Sequence, residues 1–201
     1  MPKHEYNNAM KKWFCFILFI SAFTLQANVI ERYYSTSAGN AGLRSETPEE
    51  LITASTGNVL AIVDPVKKTV AIKIPFATFD DFKDKTRQEL FHNNLVEFQK
   101  YPDIFFSGRL PSDFSELKKG MQTVFVYGHL TVHGVKRERT VALNIFMADQ
   151  LLVLNSIVSI PLAQHKMVVP KSFETKVGKE MRIDINARLR MKFASEIPDL
   201  N

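Results

Sequence analysis

Over most of the chain, apolar and polar residues alternate one by one, the period of a β-strand with one dry and one wet face. The clearest case is the last stretch: Met181, Ile183, Ile185, Ala187, Leu189, Met191 and Phe193 fall on one face. Arg182, Asp184, Asn186, Arg188, Arg190 and Lys192 fall on the other. Residues 67–79 alternate likewise, with Val70, Ile72, Ile74, Phe76 and Thr78 on one face. Pro75, on the opposite face, marks an edge, bulge or bend, because proline gives a ladder no N–H. Residues 51–55 and 59–63 read as two strands around Thr56-Gly57-Asn58, a turn composition. Further strands are expected at 104–110, 123–132, 135–148 and 151–160, with a hairpin through His133-Gly134. The period changes at 80–99, where Leu90, Phe91, Asn94, Leu95 and Phe98 recur at helical spacing until Tyr101-Pro102. Residues 28–48 read as an irregular lead-in with one short strand near 30–34, and residues 161–173 as a connection. About eight strands with one helical insertion make an all-β domain, stacked as a sandwich or closed as an antiparallel barrel. An eight-stranded barrel is either filled by its own side chains or holds one small ligand.

The N-terminus has another pattern. Lys3, Lys11 and Lys12 precede an apolar run from Trp13 to Leu25, long enough for an export signal and short of the roughly 20 apolar residues that span a bilayer. Cleavage is expected after Ala27. That removes Cys15, the one cysteine of the chain, so stability rests on a packed core. Residues 1–27 carry three lysines and one glutamate, so the net charge falls from +5 to about +3. This mildly basic surface does not call for nucleic acid, and it allows a transient contact with an anionic membrane surface.

Little in the sequence points to catalysis. No phosphate-binding glycine loop, dinucleotide fingerprint or Gly-x-Ser-x-Gly elbow is present. His129 and His133, four apart on an expected strand, share a face, but a zinc site needs three or four ligands and no others stand at recognisable spacing. His92 and His165 read as isolated surface residues. The Asp80-Asp81 pair lies in a mixed-charge stretch, and the run Lys136-Arg137-Glu138-Arg139 reads as a solvated strand entry. No catalytic residue, metal or cofactor is expected. Of the 16 phenylalanines, Phe14, Phe16, Phe19 and Phe23 lie in the signal, and the rest cluster in the middle of the chain. By periodicity alone these fill a core.

Three segments carry a family resemblance. The first runs from Phe91 through Tyr101-Pro102-Asp103-Ile104-Phe105-Phe106, the second is Gly128-His129-Leu130-Thr131-Val132-His133-Gly134, and the third joins Ile160-Pro161 to Val177-Gly178. In this order they resemble the YceI-like family, across roughly residues 51–193. The resemblance implies a lipocalin-like, eight-stranded antiparallel barrel holding a long apolar chain such as a polyisoprenoid. That shifts the expectation from a filled core towards a ligand cavity. Residues 80–101 depart from the best-known members and are expected to cap the barrel mouth.

Inward parity then nominates lining residues: Ile72, Ile74 and Phe76; Ile104 and Phe106; Val126 and Leu130; Leu143 and Ile145; Ile183 and Ile185. Phe91 and Leu95 are expected to close the mouth. The expected organisation is a signal at 1–27, the lead-in at 28–48, the barrel at 49–195 and a tail at 196–201. The expected protein is non-enzymatic, periplasmic or secreted, and binds a long-chain lipid or isoprenoid, with a homodimer allowed. The alternative is a filled barrel serving as a protein-interaction or stress accessory protein.

Overall fold

A computed structural model describes residues 32–115 and 118–193; the expected signal and the 196–201 tail lie outside them. Eight strands run β1 Arg32–Glu46, β2 Leu51–Asp64, β3 Thr69–Pro75, β4 Asp103–Arg109, β5 Gly120–Val132, β6 Val135–Ala148, β7 Leu151–Pro161 and β8 Glu180–Phe193. Each pairs antiparallel with the next, and β8 returns to β1, closing a barrel. Closure removes the sheet edges.

The count of eight holds, but two of its members differ from those expected. The lead-in is the 15-residue strand β1. Its small and polar residues hide it from propensity. It forms because it is paired on both sides, for example Leu43 with Ala54 of β2 and with Ile183 of β8. Gly39 is buried there, where an added Cβ would stand 3.1 Å from the side chains of Ala187 and Val59. The two strands expected at 51–63 are one strand, β2. Thr56-Gly57-Asn58 makes no turn. Gly39 pairs with Val59 and Ala41 with Thr56, so β2 carries one extra residue and bulges. The bulge resets the alternation, and Thr56 and Val59 are both buried.

The expected 67–79 strand ends at Pro75 and gives way to a 3-10 turn, past which Phe79 rather than Thr78 is buried. Elsewhere the parity is as read, with Met181, Ile183, Ile185, Ala187 and Leu189 all buried on β8. The exception is the strand end, where Met191 is half-buried and Phe193 is 50 % exposed.

Connections alternate between the two barrel ends. Residues 47–50, 76–102, 133–134 and 162–179 therefore gather at one end. The 76–102 insertion opens with a 3-10 turn, Phe76–Thr78, then forms a short helix, α1 Lys85–Glu89, and a π turn, Leu90–Leu95. Asp84 caps α1 by accepting the Arg87 N–H at 2.9 Å. Arg87 also pairs with Asp84 and with Glu50, tying the insertion to the β1–β2 connection. Phe91 packs edge-on against Phe76 and Phe79, with ring centres 5.9 and 5.8 Å apart. These rings seal the insertion onto the core.

Candidate functional site

The inward face of the strands forms one continuous apolar core. Within it lies a void of about 20 Å³, room for one water-sized sphere. Seven of the expected lining residues border it: Ile72, Ile74, Ile104, Phe106, Leu130, Ile183 and Ile185. Cross-strand pairing brings them together, since Ile72 opposes Phe106, which opposes Leu130, and Ile74 opposes Ile104. The other six are buried but do not border the void. Val126, Leu143 and Ile145 fill the barrel elsewhere. Phe76, Phe91 and Leu95 belong to the insertion and its 3-10 turn, packed against the core.

Four lining residues were not foreseen: Val141, Ser156, Val158 and Ile160. Val141 and Ile160 were legible, because they continue the inward parity of Leu143 on β6 and of Leu154 on β7. Ser156 was hidden by its polarity. Its hydroxyl donates to the Ala142 carbonyl at 2.9 Å, so the one polar side chain of the lining has a partner.

That bond marks a seam in the wall. The β6–β7 ladder runs only from Asn144↔Asn155 to Ala148↔Leu151. Beyond it, residues 135–143 pair with β5 and residues 156–161 with β8, but not with each other. Side chains bridge the seam instead. Besides Ser156, Arg139 Nη2 donates to the Ser159 carbonyl at 3.3 Å, and Arg137 Nε to the Gln164 carbonyl at 3.0 Å. The basic run is therefore only in part a solvated strand entry. Lys136, Arg137 and Glu138 are exposed and Arg139 is half-buried, and Arg137 and Arg139 lie on the parity of Val141, opposite Leu130 and Gly128. Val158 borders the void at the seam and is the one inward residue of β7 that is only half-buried.

Larger depressions lie outside the barrel, two of them on its strands and insertion. One, of about 280 Å³, is a polar hollow of the insertion between His92 and Lys100. The other, of about 490 Å³, crosses the outer face of β3, β4 and β5. Its floor is the close approach of Gly108 and Gly128; a Cβ on Gly128 would fall 2.2 Å from the Ser107 carbonyl oxygen. Both open to water, and neither shares a lining residue with the void.

The histidines depart from expectation. His133 does not share a face with His129. It has left the strand for a turn at φ 51°, where it is buried, while His129 is half-buried on the outer face. The His133 Nε2 lies 2.8 Å from Glu97 Oε2, its Nδ1 lies 3.2 Å from the His165 carbonyl, and its ring packs tilted against Tyr101, with centres 4.1 Å apart. His165 is not a surface residue: it is 0 % exposed. Its Nδ1 faces the carbonyls of Val132 and Val135, both at 3.3 Å, and its Nε2 has no partner. Burial, with the charges of Arg139 and Arg137, holds its pKa below the ordinary histidine value despite those two carbonyls. His92 is half-buried, with Nε2 3.1 Å from the Phe76 carbonyl and rings around it. Among the described residues, no three His, Cys, Asp or Glu side chains come together as metal ligands.

No curated protein matches this sequence. Solved structures do. A polyisoprenoid-binding domain from Saccharophagus degradans is 14% identical, with a TM-score of 0.66 over 81% of this chain and 99% of that one. BcnA of Burkholderia cenocepacia is 15% identical, with a TM-score of 0.59 over 75% and 95%. A YceI protein of Campylobacter jejuni is 15% identical, with a TM-score of 0.52 over 84% and 89%. At such identities these likenesses speak for the fold. The family model for the YceI-like domain matches residues 37–189, from within β1 to within β8. With the closed eight-stranded barrel and its inward apolar face, that match places the chain in the YceI-like domain family.

Proposed function

We propose that this protein is an exported, non-enzymatic carrier that holds a long-chain apolar or amphiphilic lipid, isoprenoid-like, inside its barrel. The observation that carries the reading is the apolar void in the closed wall, with Ser156 the one polar side chain of its lining. The likeness to a polyisoprenoid-binding domain supports the same ligand class. Each buried methylene contributes about 0.8 kcal/mol, so about ten offset the entropy lost on binding. The apolar run before Ala27 supports export, and a periplasmic or secreted protein meets such lipids in water. Transient contact with a membrane surface fits the exposed apolar residues of the outer wall, among them Met121, Phe125, Tyr127 and Ile157.

A void of about 20 Å³ is far below the roughly 300–1,000 Å³ of ordinary ligand sites. That volume favours a second reading, a filled barrel serving as an interaction or stress accessory protein. In the carrier reading, a tail enters only as lining side chains swing aside and the seam widens. Native mass spectrometry of the gently purified protein, followed by titration with farnesol, separates the two. Co-purifying lipid mass, or saturable farnesol binding, supports the carrier. Apo mass alone, with no farnesol binding, leaves the filled barrel.

A further inference from the structure

Arginine on the inward parity of a barrel wall needs a reason. On β6, Met147, Ile145, Leu143 and Val141 form the dry face, and Arg139, half-buried, and Arg137, exposed, continue its parity to the strand end. Arg139 stands opposite Gly128, which has no side chain to pack against it. Both guanidinium groups reach across the seam at the barrel surface. Each has five N–H donors, and each makes one hydrogen bond to a β7-side carbonyl, Ser159 for Arg139 and Gln164 for Arg137. Among the described residues neither forms an ion pair. The nearby carboxylates face other groups: Glu138 lies on the outer face near Tyr127, whose pKa it raises, and Glu180 accepts from the Ser159 hydroxyl at 2.5 Å. The remaining donors suit an oxyanion, which arginine binds in bidentate fashion.

The same place meets the apolar void. Val141 and Val158 border it on the two sides of the seam; Val141 is two residues from Arg139, and Val158 adjoins Ser159, whose carbonyl Arg139 holds. Buried beside the arginines is His165, whose Nε2 is left without a partner. We propose that the β6–β7 seam is an anionic headgroup subsite: Arg137 and Arg139 hold a phosphate or carboxylate while its apolar tail passes between Val141 and Val158 into the barrel. The proposal rests on the carrier reading and names the ligand class within it, an amphiphile with an acidic head.

Calorimetric titration with farnesyl phosphate, farnesol and inorganic phosphate tests it. Farnesyl phosphate is expected to bind about tenfold tighter than farnesol or more, as charge-assisted hydrogen bonds warrant. The Arg137→Gln/Arg139→Gln variant is expected to lose that preference and keep its farnesol affinity. Arg188→Gln/Arg190→Gln, which removes the same charge from the outer face of β8, is expected to keep the preference. Equal affinities in the unaltered protein, or a preference that survives the seam substitutions, overturn the subsite while the carrier reading stands. A control variant that loses as much as the seam variant reduces the effect to net charge and also overturns it. Inorganic phosphate binding as tightly as farnesyl phosphate makes this a free-anion site instead. Loss of farnesol binding in the seam variant makes the arginines latches of the wall, and the subsite falls. Binding of neither isoprenoid overturns the carrier reading and the subsite with it.

Discussion

His133 Nε2 lies 2.8 Å from Glu97 Oε2, so the β5–β6 turn is fastened to the insertion that covers the same end of the barrel. Both residues have left-handed backbone, φ 51° at His133 and φ 46° at Glu97. The contact is thus made by two turns, each bent out of its regular element. Glu97→Ala is expected to cost about 1 kcal/mol, the worth of one such hydrogen bond with a partly exposed partner. Urea unfolding measures it, and Glu97→Gln, which keeps an acceptor, should recover part of the loss.

Two β-strand glycines should respond differently to one methyl group. At Gly128 a Cβ would fall 2.2 Å from the Ser107 oxygen and 2.5 Å from the Gly108 Cα, so the β4–β5 ladder must move. At Gly42 nothing lies within 4 Å. Gly128→Ala is therefore expected to destabilise by roughly 3 kcal/mol, and Gly42→Ala to stay within about 0.5 kcal/mol. Thermal unfolding of the two variants side by side checks the contrast.

The buried His165 predicts a pH dependence with a definite sign. Its folded pKa is lowered by burial, against 6.5 for the free side chain. The unfolded chain therefore binds the proton first as pH falls. The stability that neutral His165 provides is fully present above 6.5 and is lost progressively below it, down to the lowered folded pKa. Urea midpoints taken from about pH 7.5 to about pH 5 should fall more steeply in the unaltered protein than in His165→Gln. Equal slopes would sink the assignment.

Val158 is half-buried at the seam, so a larger side chain there is accommodated outward without breaking the core. Val158→Trp is expected to keep the fold within about 1–2 kcal/mol and to slow or abolish farnesol uptake by filling the way to the void. Stopped-flow uptake with a fluorescent isoprenoid reads the rate, and an unchanged rate would place the entry elsewhere.

Strand identity and facing were legible wherever one face is wet. On β8 and β3 polar residues mark the outer wall, and from Met181 to Leu189 the inferred parity matches burial residue for residue. Legibility failed where composition mimics a turn. Gly57-Asn58 sits in a bulge inside β2, and the Ser-, Gly- and Asn-containing stretch before Pro48 is β1. A bulge and a turn use the same residues; only the pairing partner tells them apart. His165 was misplaced for a related reason. A lone histidine in a connecting segment reads as surface unless the fold packs that segment over a barrel end.

The amino-acid sequence by itself determined that this is an all-β domain with one dry face per strand, because alternation by two requires nothing beyond the local chain. With the quoted motifs it also carried the resemblance to the family. The tertiary structure alone decided which inward residues surround the void and which pack away from it. It also decided that the β6–β7 ladder stops at Asn144, and that Arg137 and Arg139 bridge the gap. The physical reason is that parity says only towards which side a residue points. How far two strands diverge depends on the twist and closure of the whole wall, and no local pattern encodes that.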